Sequence, residues 1–237
     1  MNLKSYVTKN LTLLERDIYQ FFDNNFLAKK GFLITYFNQN SFNLFYSNYA
    51  YQNALKNSLV YQEGIGMYIA YKFWGIKNVD RIDSGEIINW MINLIIKKKE
   101  KVIFIGGKFD ETDIKKRCEM KKLLLEFYHH GFLDDYQTNE LIQKINNIKA
   151  RFVLIGMGSP QQEILAHKLF QKSPEKVFIC IGNFMNYFLG YQKRAPKILR
   201  TIQLEWLYRL FQEPKRLFKR YIVGIPLFLY RVFFHFK

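Results

Sequence analysis

An α/β fold, with a parallel sheet covered by helices on both faces and a helical C-terminal appendage, is what this 237-residue sequence predicts. Three observations carry the expectation. Short, wholly apolar runs recur at Val102-Ile103-Phe104-Ile105, Phe152-Val153-Leu154-Ile155 and Val177 to Ile181, as strands buried on both faces require. Stretches with helical spacing lie between them, and strand–helix alternation builds a parallel sheet. The composition then changes at Lys193: from there to the end, eleven Lys and Arg and two Glu are interleaved with Trp, Tyr, Phe and Leu. The chain therefore divides into a Rossmann-like core over 1–192 and a basic aromatic tail over 193–237.

In chain order, Thr12-Leu13-Leu14-Glu15 has the form of a capping box. Leu14, Ile18, Phe21, Phe22 and Phe26 follow at helical spacing, and Lys29-Lys30-Gly31 closes that helix. Residues 32–37 form a buried strand. Ser41 caps a helix to about Asn57, residues 58–61 are a strand, 62–66 a turn, and Met67 starts a helix ending at Gly75. Asp83-Ser84-Gly85-Glu86 caps a helix to Lys99. A strand over 101–105 stops at Gly106-Gly107. One helix spans about 112–130 and another starts at Thr138. The strand 151–155 leads through Gly156 to Pro160 into a helix reaching Phe170, and 176–181 is a further strand. Pro196, Pro214 and Pro226 each suit the first position of a helix, so the tail divides into three helices.

The bulk properties narrow the class. The chain is long enough for a sizeable core. Its formal charge of +16 favours an anionic partner: nucleic acid, anionic lipid or a phosphorylated small molecule. Cys118 and Cys180 form no disulfide framework, and the N-terminus shows no secretory h-region, so a reducing compartment is expected. The apolar run at 221–230 is interrupted by Gly224 and Pro226 and falls far short of the ~20 residues a spanning helix needs. The four histidines and two cysteines lack metal-ligand spacing, and neither a metal nor another cofactor is expected.

Four groups of residues can carry chemistry. Gly64, Gly106, Gly107, Gly156 and Gly158 lie in turns between a strand and a helix, where backbone N–H groups meet anions; such glycines are also often structural. Glu63 stands between an apolar strand and a glycine turn, as a general base would, or as a carboxylate capping the next helix. Gln162 and Glu163 fall in a first helical turn near the same edge; Glu163 can complement the helix dipole and Gln162 can donate to a ligand. Arg209, Arg216 and Arg220 offer planar forks suited to phosphate, or else a solvated face.

The motifs resemble the WecG/TagA/CpsF glycosyltransferases of bacterial surface-polymer assembly. The resemblance is most specific at Arg194-Ala195-Pro196, Glu205-Trp206-Leu207-Tyr208-Arg209-Leu210, Glu213-Pro214, Arg216 and Arg220-Tyr221, which fit "RAP…EWLYRL…EP.R…RY". Gly156-Met157-Gly158-Ser159-Pro160-Gln161-Gln162-Glu163 is similar to "GxGxPxQE", Phe104-Ile105-Gly106-Gly107 to "LLGG", and Gln62-Glu63-Gly64-Ile65-Gly66 to "PDGIG". It covers about residue 10 to the end. The sequence departs where the family's catalytic Asp is Glu63, where Thr35 and Asn38 only approximate "T-x-N", and where "GGxFDFxAG" carries Asn183 and Asn186.

The resemblance implies a metal-independent, inverting transfer of a hexose, of N-acetylmannosamine type or related, from a UDP-sugar donor. The implied acceptor is a lipid-linked sugar, undecaprenyl-diphosphate-bound, on the cytoplasmic face of the membrane. It implies Glu63 as base and Arg209, Arg216 and Arg220 on the leaving diphosphate. Thr35, Asn38, Gly64, Gly106, Gly107, Gly156, Gly158, Gln162, Glu163, Asn186 and Arg194 would bind substrate. The tail would close the site and rest peripherally on an anionic membrane. Apolar helix faces leave room for a homo-oligomer. Two other classes stay open: a nucleotide-sugar-binding protein whose chemistry has lapsed, favoured by Glu63 and Asn186, and a nucleic-acid-binding protein. The second is disfavoured because the tail's cations sit among large apolar residues rather than on an exposed sheet with stacking aromatics, so no nucleic acid is expected as partner.

Overall fold

The computed structural model describes residues 3–201 and 204–235. Helix α1 (Leu3–Asn10) leads into β1 (Leu11–Thr12), α2 (Glu15–Leu27), β2 (Phe32–Phe37), α3 (Gln39–Ser47), α4 (Tyr49–Ala54), β3 (Leu59–Gln62) and α5 (Gly64–Phe73). Then come α6 (Ser84–Lys97), β4 (Lys101–Ile105), α7 (Glu111–Met120), β5 (Leu124–His129), α8 (Asp135–Asn147), β6 (Phe152–Ile155), α9 (Gln161–Lys172) and β7 (Val177–Cys180). The chain ends with α10 (Phe184–Phe188), α11 (Lys197–Thr201), α12 (Glu205–Gln212), α13 (Pro214–Phe218) and α14 (Gly224–Tyr230). Among the described residues the strands form one seven-stranded parallel sheet, in the order β1-β3-β2-β7-β6-β4-β5.

The two-residue period of a strand sorts the core into layers. Ile34, Phe104, Leu154 and Ile179 face α2, α6 and α7, while their neighbours Leu33, Ile103, Val153 and Phe178 face α8 and α9. A third cluster gathers Tyr6, Phe37, Phe42, Phe45, Met67 and Tyr71 with two tail residues, Phe228 and Val232. Phe228 meets Phe42 edge-on at 5.1 Å, and Asn43 donates to the Gly224 carbonyl at 2.8 Å. The tail is thus packed into the α/β unit along α3.

Several expected boundaries are corrected. The helix expected over 112–130 stops at Met120, and Leu124–His129 instead forms the edge strand β5. Its stop is Lys122, held at φ +59 with no glycine to announce it. Lys29 (φ 53) and Lys99 (φ 54) end α2 and α6 in the same way, so within Lys29-Lys30-Gly31 it is Lys29, not the glycine, that takes the left-handed conformation. Each lysine stands at a helix C-terminus, where a cation complements the dipole. No capping box forms at Thr12: Leu14 is the N-cap and the Glu15 amide bonds to Asp80 Oδ2 at 2.9 Å. Asn38, not Ser41, caps α3; a second cap at Asn48 divides the single helix expected over 41–57. Asp134 begins α8, four residues before Thr138. Helix α5 begins at Gly64 rather than Met67, and Asp83 caps α6 as expected.

Of the tail prolines, Pro214 holds the first helical position, but Pro226 is the third residue of α14. From Pro214 to His235 the backbone stays helical, with π segments at Lys219–Val223 and Arg231–His235. Proline inside a helix removes an N–H and crowds a carbonyl one turn back. The π turn ahead of it, where the Gly224 amide reaches the Lys219 carbonyl, absorbs that disruption. Among the described residues no helix is long and apolar enough to cross a membrane.

Candidate active site

A cleft of about 240 Å³ opens at the carboxyl edge of β2, β3, β6 and β7. Its floor is built from Tyr36 and Asn38, from Glu63 and Gly64, from Gly158 and Ser159, and from Gly182 and Asn183. Asp83 and Gly85 at the start of α6 form one wall, and the tail roofs it with Arg194, Trp206, Arg209, Arg216 and Arg220. Ligands of open parallel sheets bind at this edge because every strand delivers a loop and a helix N-terminus there.

Glu63 occupies the N-cap position of α5, yet its side chain makes no capping bond. It turns into the cleft, where Oε2 accepts from Asn38 Nδ2 at 2.8 Å. The orientation of Asn38 is itself fixed. Its Oδ1 caps α3, accepting from the amides of Asn40 and Ser41 at 3.0 and 3.1 Å, which leaves the amide N–H pointed at Glu63. Burial pushes the Glu63 carboxyl above its ordinary range. The Asn38 bond opposes that rise, Asp83 adds to it, and Arg220 and Arg209 oppose it. A carboxylate so placed is a stronger proton acceptor than one in water, as a general base should be.

This arrangement sets a pH dependence. Asn38→Asp keeps an oxygen to cap α3 but replaces the donor with a second carboxylate. Like charges cannot both ionise at that distance without cost, so the Glu63 pKa rises. A base works deprotonated, so the acid limb of kcat/KM should move upward by about one pH unit or more. An unmoved limb in the pH–rate profile would mean that another group titrates.

The roof supplies cations. Arg209 and Arg220 make no ion pair among the described residues, and the Nε of each is buried without a hydrogen-bond partner. Burial works against the Arg209 charge, but the neighbouring phenols of Tyr221, Tyr187 and Tyr36 and the Glu205 carboxylate outweigh it and raise its pKa. Arg216 is committed elsewhere, pairing with Glu213 through Nε at 2.5 Å and Nη2 at 2.7 Å. Arg194 is a latch between tail and core: it grips Asp83 at 2.8 and 2.9 Å and reaches Glu86 at 3.3 Å and Glu205 at 3.6 Å. Gly85 leaves room for it: a Cβ there would lie 2.6 Å from the Arg194 guanidinium and displace it.

Glu63, Gly64, Asn38, Gly158, Arg194, Arg209, Arg216 and Arg220 are therefore brought together, and the other expected site residues do not line the cleft. Thr35 points through the opposite face of the sheet and donates to Glu163 Oε1 at 3.0 Å. Glu163 also accepts from Ser159 and Gln162, each at 2.8 Å, and is fully buried. Gln162, equally buried, accepts through Oε1 from the amides of Gly158 and Gly182 at 3.2 and 3.0 Å. Both side chains brace the two loops that line the cleft rather than lining it themselves. Gly106 and Gly156 lie back to back: a Cβ on Gly106 would fall 2.5 Å from the Gly156 carbonyl oxygen. The Phe109 ring covers Gly107, and Asn186 donates to Asn183 Oδ1 at 2.6 Å.

The cleft also contains residues that sequence reasoning missed as site candidates: Tyr36, Arg81, Asp83, Tyr187 and Trp206. Strand alternation could have found Tyr36, since residues 36 and 38 share a face that Thr35 does not. Arg81 and Tyr187 carry no such signal. Among the described residues no cluster of three His, Cys, Asp or Glu side chains is placed to hold a metal ion. A family model described as the glycosyl transferase WecG/TagA/CpsF family matches residues 8–237.

Proposed function

Because this chain belongs to the WecG/TagA/CpsF glycosyltransferase family, whose members serve cell-surface polymer biosynthesis, we propose that its cleft moves a hexose from a UDP-sugar to a lipid-linked sugar acceptor. The observation that carries the reading is the presence in one cleft of Glu63 on the floor and, in the roof, of Arg209 and Arg220, which have no ion pair among the described residues. Glu63 takes the proton of the acceptor hydroxyl as its oxygen attacks the anomeric carbon. The bond to the diphosphate oxygen breaks on the far side, inverting that carbon, and UDP leaves. Negative charge develops on the departing phosphate, where preorganised guanidinium groups stabilise it most. A metal ion is not required by this chemistry, since the arginines supply the charge. The hexose is of N-acetylmannosamine type or related, and the acceptor an undecaprenyl-diphosphate sugar.

The tail's exposed side chains fit a membrane-bound acceptor. Phe211, Phe218, Ile222, Val223, Tyr230 and Phe234 are exposed, with Lys215 and Lys219 interspersed in the sequence. Apolar side chains interspersed with cations suit the interface of an anionic bilayer. On this reading the tail over 193–237 acts both as lid and as membrane contact, and the protein works peripherally on the inner face. Release of UDP tests the proposal. It should require donor and acceptor together and rise when anionic vesicles carry the acceptor; release indifferent to the acceptor would contradict it.

A further inference from the structure

Tyr36 stands beside the general base with no assigned task. Its side chain shares the cleft face of β2 with Asn38, which holds Glu63. Its ring rests against Tyr61 at 6.4 Å. Glu63, Arg209 and Arg220 line the same cleft, and the charges of Glu63 and Arg220 act on its phenol. The hydroxyl keeps this place only because residue 182 is glycine. Gly182 has φ +55, and a Cβ there would overlap the phenol oxygen.

A transfer reaction is ordered along a line: base, acceptor oxygen, anomeric carbon, leaving oxygen, phosphate. A group that lines the cleft together with both base and cations can face the middle of that line, hence the sugar ring. We propose that the Tyr36 hydroxyl hydrogen-bonds the donor hexose and determines which hexose is accepted, with Gly182 providing the space. A phenol both donates and accepts, so it can pair with a ring hydroxyl or an acetamido group. Sites built to hydrogen-bond a substrate group discriminate strongly against analogues that lack it or present it differently.

This inference rests on the donor reading above, and one experiment separates the two. The full-length protein and its Tyr36→Phe variant are titrated with UDP-N-acetylmannosamine, its C2 epimer UDP-N-acetylglucosamine, and UDP. Quenching of the cleft residue Trp206 serves as the signal. The variant should bind the preferred sugar nucleotide about tenfold more weakly. It should also bind the two epimers with a changed ratio, and UDP within about twofold of wild type. Equal affinities of wild type and variant for all three probes overturn the proposal. An equal loss for UDP and the sugar nucleotides also overturns it, since Tyr36 would then be serving the diphosphate. Wild-type protein that binds none of the probes overturns the donor reading as well.

Discussion

Glu63→Gln is expected to lower kcat by about 10²–10⁴-fold while leaving the donor KM nearly unchanged, the loss typical when a positioned general base is removed. The substitution isolates proton transfer. Glutamine has the same length, and its carbonyl oxygen can still accept from Asn38, so the floor of the cleft keeps its shape. What is lost is an acceptor for the hydroxyl proton. The three structural facts behind the expectation are independent: the carboxylate makes no helix-capping bond, it is held by an amide whose own orientation is fixed, and it faces the cleft. Steady-state kinetics at saturating acceptor check the result. Fully retained kcat would return Glu63 to a structural role.

Arg209→Ala and Arg220→Ala should each lower kcat by about 10²–10³-fold, the usual consequence of deleting one preorganised donor to a developing charge. UDP should bind both variants more weakly, because the diphosphate is charged before as well as after transfer. Arg216→Ala is expected to do much less. Its guanidinium already has a partner in Glu213, whereas Arg209 and Arg220 have no ion pair among the described residues. The three variants therefore rank the tail arginines by whether their charge is spoken for. A uniform loss across all three would point instead to a general effect of tail charge. Conservative Arg209→Lys should recover only part of the rate, since an ammonium cannot reproduce the planar fork.

Much of the fold is legible in the amino-acid sequence. Strands 32–37, 101–105, 151–155 and 176–181 were legible because continuous apolar runs have few other solutions, and all four lie in the sheet within a residue of those bounds. Strand β5 was not, because Leu123-Leu124-Leu125 prolongs the helical apolar spacing of α7, and the break rests on Lys122 in a conformation lysine rarely announces. Placement in the cleft followed a similar rule. Glu63, Asn38 and the tail arginines Arg209, Arg216 and Arg220, singled out by their motifs, all line the cleft. Their neighbours were misassigned where a motif residue braces the site rather than lining it. Gln162 and Glu163 lie one hydrogen bond behind the cleft, and Thr35 lies one further back. Arg194 was expected to hold substrate, but its charge is engaged by Asp83, Glu86 and Glu205, carboxylates up to 111 residues away in sequence. Only the fold brings those partners together. Tyr36 shows the reverse case, a residue no motif singles out that strand geometry places in the cleft.

The most direct test of the account is a single transfer assay: incubate wild-type protein and Glu63→Gln with candidate UDP-hexoses and a short-chain lipid-diphosphate sugar acceptor in anionic vesicles, and follow the mass of the acceptor. The account predicts that wild type adds one hexose from at least one donor and that the variant adds almost none in the same time. Equal product from both proteins, or UDP released with no gain in acceptor mass, would contradict it.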